Sequence, residues 1–257
     1  MRIPVVMLSV LLAAVCLAYQ PVPVQKSRVE QEIKVRLEAL TDDSAKVAVA
    51  QQYLEEFPND IAVVRAALDV LLKKMDDPIT FFRQRLEMDT GSIAAHYLYG
   101  KASRDSTIMA EAARWILTRE PDNYWGHELA GYAEWFKANP DTGILIRNFR
   151  KAIEADPSRP EGYLYLGWVF WDEELWPEAR EVLEAGAIVD PEDKSIRDAR
   201  LTVYAEQRDG KTFFDLMQGV FSDTPLIADL PRAKAGPNVT TADLRGQPTV
   251  IEYWAYT

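Results

Sequence analysis

The residues of this chain that could carry chemistry are few, and their spacing does not assemble a catalytic or metal centre. The sequence has two histidines, His96 and His127, and one cysteine, Cys16. The histidines are too far apart to share one face of a helix and no cysteine accompanies them, so we expect no zinc site. Nothing around them suggests a Ser-His-Asp arrangement. We therefore predict no catalytic residue and no metal ligand in the chain as given.

Two further patterns imitate functional sites. Residues 210–212 read Gly-Lys-Thr, the ending of a phosphate-binding loop, but Ala205 stands where that loop needs its first glycine and no strand precedes it. Acidic pairs such as Glu55-Glu56 are ordinarily solvated helix faces and not acid/base dyads. We accordingly expect no cofactor.

Composition and charge narrow the classes of partner. The 257 residues carry 29 Lys and Arg against 40 Asp and Glu, a net charge of -11, and 48% of them are hydrophobic. That hydrophobic share can supply a real core. Phosphate binding needs clustered Lys and Arg, and no basic run is present, so we expect no nucleic-acid partner.

The N-terminus has the composition of an export signal. Arg2 precedes an uninterrupted apolar run over residues 3–18, and Pro21 and Pro23 follow soon after it. We predict a signal peptide over residues 1–18, a linker over residues 19–27 and a periplasmic or secreted mature chain. An uncleaved N-terminal anchor is the alternative, and this segment would then be the only membrane contact. Lipidation of Cys16 is disfavoured because Val15 stands where lipoprotein signals need a small residue.

A regular spacing of helix ends organises residues 28–222. Apolar residues recur at three and four places, which predicts helices, and Pro and Gly are confined to their boundaries. Taking Pro58, Asp89, Pro121, Pro157 and Pro191 as markers of these boundaries, the successive spacings are 31, 32, 36 and 34 residues. A period near 34 is typical of stacked helix hairpins.

The last two units of this period indicate which repeat it is. The residues that match its signature are Tyr163, Leu166, Gly167, Phe170, Ala179, Leu183 and Pro191. A shift of 34 places towards the N-terminus keeps size and apolarity at every position but not residue identity, as at Leu129, Ala133 and Phe149. This pattern resembles the tetratricopeptide family. The resemblance implies an all-α fold, a right-handed superhelical solenoid of about five stacked antiparallel helix pairs.

In such a solenoid the first helix of each pair forms a concave binding groove. We expect the residues between the packing positions to point into that groove and to bind a peptide or partner protein. They are Leu164, Trp168 and Trp171, then His127, Glu134 and Lys137 one repeat earlier, and Tyr97, Lys101 and Arg104 before those. Trp168 and Trp171 are expected to contribute most, because tryptophan dominates measured interface energies. The alternative is that both indoles are buried between repeats.

The C-terminal part has a different composition. Residues 223–240 are rich in Pro and Gly and are predicted to be a linker. Residues 241–257 end in an apolar stretch followed by Trp254-Ala255, which resembles thioredoxin-like reductases of the redoxin and cytochrome c maturation type. Those proteins continue from Trp-Ala-x-x directly into Cys-x-x-Cys, and here the sequence stops at Thr257. We expect a thioredoxin-like domain truncated before its active site.

Two functions remain open at this point. The first is a protein–protein interaction scaffold outside the cytoplasm, which holds a peptide or partner protein in the groove. The second is an N-terminal recruiting module of an envelope thiol:disulfide oxidoreductase, which lacks its catalytic domain here. The chain as given is expected not to be an enzyme, because the paired active-site cysteines are absent from it.

Overall fold

A computed structural model describes residues 28–207 together with residues 212, 213 and 216. The predicted leader, both predicted linkers and the thioredoxin-like stretch lie outside this part. The chain divides into two compact units, Met1–Val203 and Tyr204–Thr257. In the second unit the described residues are helical apart from a turn at Gln207. Everything below concerns the first unit.

Residues 28–207 form eleven α-helices and no strand, so the fold is all-α, a solenoid of helix pairs. In chain order the helices are α1 (Arg28–Ala39), α2 (Asp43–Glu56), α3 (Ile61–Lys74), α4 (Pro78–Met88), α5 (Ile93–Ser103), α6 (Ser106–Arg119), α7 (Tyr124–Trp135), α8 (Thr142–Ala155), α9 (Pro160–Asp172), α10 (Trp176–Val189) and α11 (Lys194–Glu206). The pairs are α1–α2, α3–α4, α5–α6, α7–α8 and α9–α10, and α11 follows as a first helix. None of these eleven helices is both long and apolar enough to cross a membrane.

Polar side chains set the start of most helices. Asp60 accepts a hydrogen bond from the Val63 amide, and Asn123 accepts one from the Gly126 amide, at 3.1 and 3.0 Å. Such N-caps satisfy amides that have no partner inside the helix. The same arrangement occurs at Asp42, Asp77, Ser92, Asp105, Asp141 and Asp193. Four of the five turns that mark the sequence period are therefore capping turns, and after the fifth, at Pro157, Arg159 makes no side-chain cap.

Close helix approaches occur where the sequence has glycine. A Cβ atom placed on Gly167 would lie 2.6 Å from a Leu183 methyl carbon, so α9 and α10 touch through this position. Gly100 makes the same approach between α5 and its neighbours, since an added Cβ would lie 2.9 Å from a Leu129 methyl carbon. Between α7 and α8 the closest approach is at Gly131, where an added Cβ would meet Phe149 at 2.5 Å. The sequence pattern favours Ala133 for that position.

The apolar core consists of two successive clusters. One joins α1 to α7 and includes the fully buried Leu71 and Ile116. The other joins α8 to α11 and includes Phe149, Phe170 and Leu183. The signature residues of the last repeats, apart from the exposed turn residue Pro191, are thus buried, which is the reason that their size and apolarity recur.

Candidate functional site

A cavity among the described residues, here called the main cavity, has a volume of about 660 Å³. Eight helices contribute to it, and most of the lining comes from the first helix of a pair: α1, α3, α5, α7, α9 and α11. Its basic residues are Lys34, Lys46, Arg65, Lys101, Arg104 and Arg159, and its acidic residues are Glu38, Asp69, Glu161 and Asp193. Tyr132, Phe136, Tyr165 and Leu164 add aromatic and aliphatic surface.

A buried carboxylate, Glu128 on α7, lies behind the cavity wall and is fully enclosed. Its Oε2 accepts a hydrogen bond from the Tyr97 hydroxyl at 2.6 Å. Its Oε1 lies 3.5 Å from both Lys101 Nζ and an Arg65 guanidinium nitrogen. One negative charge is therefore shared between two cations that come from α3 and α5.

Arg65 also reaches across the cavity from α3 to α9. Its Nη2 donates a hydrogen bond to the Tyr165 hydroxyl at 2.7 Å, and its Nη1 lies 2.9 Å from Glu161 Oε1. The Nη1 contact lacks the alignment of a hydrogen bond and acts as an ion pair. Since α3 and α9 belong to the second and fifth helix pairs, one side chain links repeats that are far apart in sequence.

Two of the lining cations, Lys101 and Arg159, also lie over aromatic rings. The Lys101 ammonium lies 2.9 Å from the centre of the Tyr132 ring and 5.5 Å from that of Tyr165. The Arg159 guanidinium stands 4.5 Å from the Trp125 ring centre and pairs with Asp156 at 3.0 Å. Cations attract the faces of aromatic rings, and the attraction grows when both are shielded from water.

The electrostatics of this cluster follow from burial and from the neighbouring charges. Burial alone would raise the pKa of Glu128, but Lys101 and Arg65 outweigh it and hold that pKa below its ordinary value. Burial lowers the pKa of Lys101 to about 7, with Glu128 opposing and Arg65 adding to the shift. Burial and then Glu128 raise the pKa of the Tyr97 hydroxyl.

The chemistry that this arrangement supports is noncovalent binding. The cavity offers cations, carboxylates and aromatic faces, and each can hold part of a peptide. Among residues 28–207, no group of three or more His, Cys, Asp or Glu side chains could hold a metal ion.

Three of the residues predicted for the groove line the main cavity: Lys101, Arg104 and Leu164. Arg104 follows the last residue of α5 and has a left-handed backbone, with φ 51° and ψ 18°. Tyr97 lies behind the wall, fully buried, and supports Glu128 from there. These four come from two repeats, the third and the fifth helix pairs, and the fold brings them together.

The structure places three others away from the main cavity. His127 is only 6% exposed, and its Nε2 contacts the Pro121 carbonyl at 2.8 Å. Glu134, which is 5% exposed, pairs with Lys137 at 2.6 Å and accepts the Asp141 amide at 2.9 Å. Glu134 and Lys137 thus secure the α7–α8 turn, and they border a shallower cavity of about 380 Å³ beside α6.

Trp168 and Trp171 also lie outside the lining of the main cavity. Both are half-buried and pack against the core cluster of α8 to α11. Their rings meet edge to face at 5.6 Å, and Trp171 meets Trp176 at 6.1 Å. The cavity is lined by Glu161, Leu164 and Tyr165 in the first half of α9, whereas the two tryptophans stand in its second half.

The sequence pattern missed the charged centre of the site. Arg65, Glu128 and Glu161 were not predicted, because the groove positions were assigned by shifting the last repeat backwards and α3 carries no repeat signature. Glu128 could have indicated this cluster from the sequence, since an acidic residue on the buried face of α7 needs a charged or hydrogen-bonding partner. Nothing local to Arg65 indicates its contacts with α9.

No protein-family model matches the chain, and no curated protein matches it in sequence. Among solved structures it is similar to TTC0263, a thermophilic TPR protein of Thermus thermophilus. The TM-score is 0.50 at 13% identity, over 72% of this chain and 93% of that one. The chain has a tetratricopeptide-like fold.

Other solved structures match less closely in shape. MamA matches with a TM-score of 0.42 and 16% identity, over 64% of this chain and 90% of MamA. Naa15/Naa10 bound to HypK matches with a TM-score of 0.40 and 15% identity, over 82% of this chain and 37% of that chain.

Proposed function

We propose that this protein is an interaction scaffold that holds an extended segment of a partner protein in the main cavity. The observation that carries the proposal is the lining itself, which draws side chains from eight helices between α1 and α11. An occupant of this cavity contacts the whole series of repeats at once. Clefts of a few hundred cubic ångströms with convergent polar groups are ordinary binding sites.

The lining is also better suited to binding a peptide than to catalysing a reaction. Arg65 and Lys101 each pair with the buried Glu128 behind the wall, and these contacts present a preformed wall to a ligand. Tyr132 and Tyr165 provide rigid aromatic faces, which cost little entropy when they bind a partner. A preformed wall of this kind lowers the cost of ordering an extended segment.

Selection of peptides from a random displayed library, followed by fluorescence anisotropy, tests the proposal. Leu164→Trp fills the cavity with a neutral ring and should abolish binding of the selected peptides. The matched control is Ile188→Trp, because Ile188 is an apolar residue that is 55% exposed and outside the cavity. Peptides that bind the wild type and both variants equally would show that the cavity is not the binding site.

We also propose that the scaffold works outside the cytoplasm. The support is the apolar segment over residues 3–18 with Arg2 before it. Mass spectrometry of the protein isolated from cells should find a mature N-terminus near Tyr19. An intact Met1 on the exported protein would instead favour a membrane anchor.

The second candidate is recruitment of substrates to a thiol:disulfide oxidoreductase, and the resemblance of residues 241–257 to thioredoxin-like proteins favours it. The discriminating measurement is the coding sequence after Thr257. A Cys-x-x-Cys there supports this candidate, because two cysteines at a helix N-terminus form the redox centre of such proteins. A stop codon at that point would exclude it.

A further inference from the structure

The amine of Lys101 on α5 opens into the main cavity from a partly dry position. Its side chain is 14% exposed, and its Nζ stands 2.9 Å from the centre of the Tyr132 ring and 5.5 Å from that of the Tyr165 ring. An ammonium in this position loses much of its hydration, which favours the neutral amine. The ring faces replace only part of that hydration, because a cation–π contact is weaker than the hydration of an ammonium.

Lys101 also shares its carboxylate with a second cation. Glu128 Oε1 lies 3.5 Å from the Lys101 amine and 3.5 Å from an Arg65 nitrogen. A guanidinium keeps its proton in proteins, whereas a lysine loses its proton readily when it is buried or lies near another cation. Lys101 is therefore the cation of this pair that can become neutral.

The pKa of Lys101 agrees with this geometry, since it is lowered to about 7. Burial is the largest cause; Glu128 opposes it, Arg65 adds to it, and Asp69 opposes it more weakly. About half of the Lys101 amines are then neutral at pH 7, compared with fewer than about one in a thousand for an exposed lysine of pKa near 10.5. A neutral amine that opens into a cavity is a nucleophile toward carbonyl groups.

We propose that Lys101 captures an aldehyde in the main cavity and holds it as a Schiff base. The lone pair of the amine nitrogen attacks the carbonyl carbon, and the electron pair of the C=O π bond passes to the oxygen. One proton moves from the nitrogen to that oxygen, which gives a carbinolamine. The carbinolamine then loses its hydroxyl group and the second nitrogen proton as water, and a C=N double bond forms. The reaction needs no oxidant and no reductant.

The surroundings of Lys101 suit the product as well as the amine. A protonated Schiff base carries the same single positive charge as the ammonium, so Glu128 remains its counter-ion and the Tyr132 ring its neighbour. Leu164 and Phe136 line the same cavity and offer apolar surface to the chain of the aldehyde. The ligand class is therefore an aliphatic aldehyde, and its capture does not depend on the peptide binding proposed above.

Hexanal tests the proposal, with sodium cyanoborohydride present to reduce each Schiff base to a stable secondary amine. The full chain is treated at pH 7, and mass spectrometry of its proteolytic peptides measures the rate at each lysine. Lys101 should react at least about tenfold faster than Lys34, which lines the same cavity but is exposed. Raising the pH to about 9.5 should shrink this ratio, because an exposed lysine continues to gain neutral amine whereas Lys101 is already neutral.

Two pairs of variants locate the reaction. Lys101→Arg keeps the positive charge and should remove the fast adduct, while Lys73→Arg, at an exposed position outside the main cavity, should retain it. Leu164→Trp fills the cavity and should slow the reaction at Lys101, whereas Ile188→Trp, outside the cavity, should leave that rate unchanged.

Three results would overturn the inference. They are equal rates at Lys101 and Lys34, a fast adduct that persists in Lys101→Arg, and a Lys101 rate that Leu164→Trp leaves unchanged. The comparison of Lys101 with Lys34 is made within the wild-type protein, so it decides the matter even where a variant fails to fold.

Discussion

The hydroxyl of Tyr97 on α5 donates a 2.6 Å hydrogen bond to Glu128 on α7, and both side chains are fully buried. The two cations beside Glu128 are more distant than this hydroxyl, since the nearest nitrogens of Lys101 and Arg65 are at 3.5 Å. The tyrosine therefore makes the short contact, and the two cations supply the compensating charge. The wall of the main cavity depends on this pair, because Glu128 in turn positions both cations.

Removing the hydroxyl with Tyr97→Phe should lower the free energy of unfolding by about 2 kcal/mol, because a buried charge loses its strongest hydrogen bond. Urea unfolding followed by circular dichroism measures the change. Tyr99→Phe is the control, since Tyr99 is half-buried and its hydroxyl makes no hydrogen bond within residues 28–207. Equal effects of the two substitutions would contradict a special role for the Tyr97 hydroxyl.

Gly131→Ala should destabilise the protein by about 1–3 kcal/mol, although alanine is the better helix former. The added carbon would lie 2.5 Å from the Phe149 ring, which is itself fully buried and has little room to move. In Gly91→Ala the nearest atom would be at 3.5 Å, an ordinary contact, so thermal unfolding should distinguish the two variants. A melting temperature of Gly131→Ala at or above that of the wild type would argue against the close α7–α8 approach.

The pKa of His127 predicts a dependence of stability on pH. Burial lowers the pKa of His127 in the folded state, against a weaker raising effect of the Pro121 carbonyl. The unfolded chain therefore binds a proton that the folded chain does not, and this contribution to stability is lost as pH falls below about 6.5. His127→Gln should reduce the loss of unfolding free energy between about pH 7.5 and about pH 5. An unchanged pH dependence would mean that the imidazole protonates equally in both states.

Lys101 should lose its proton near pH 7, far below an exposed lysine. Its pKa is lower in the folded state than in the unfolded one, so its contribution to stability rises with pH from about 7 to about 10.5 and is lost as pH falls through 7. A ¹³C NMR titration of the lysine side chains, with Lys101→Arg to assign the signal, measures this pKa. A Lys101 midpoint near the ordinary lysine value of 10.5 would contradict the prediction.

The helices could be predicted from the sequence because their causes are local. Capping residues such as Asp60 and Asn123 start them, and the apolar spacing defines the face that is buried. The close approach at Gly167 could equally be predicted from the sequence, since only glycine fits beside Leu183.

The residues that line the main cavity were harder to predict, because they depend on how close the repeats lie to one another in the folded chain. Trp168 and Trp171 follow the groove spacing, but the cavity ends before the second half of α9. Arg65 has no repeat signature around it, and its partners Glu161 and Tyr165 lie in a different repeat. A pattern with one repeat as its unit contains no information about a contact between distant repeats.

The reach of Arg65 from α3 to Tyr165 and Glu161 on α9 has a consequence for how the protein unfolds. A stack in which each unit touches only its neighbours behaves as a one-dimensional chain, and its ends can fray without disturbing the middle. The contacts of Arg65 connect two units that are not adjacent, so the units between them are held at both ends. The units between α3 and α9 then lose their structure as one block, so amide hydrogens from the second to the fifth pair should exchange with a common opening free energy.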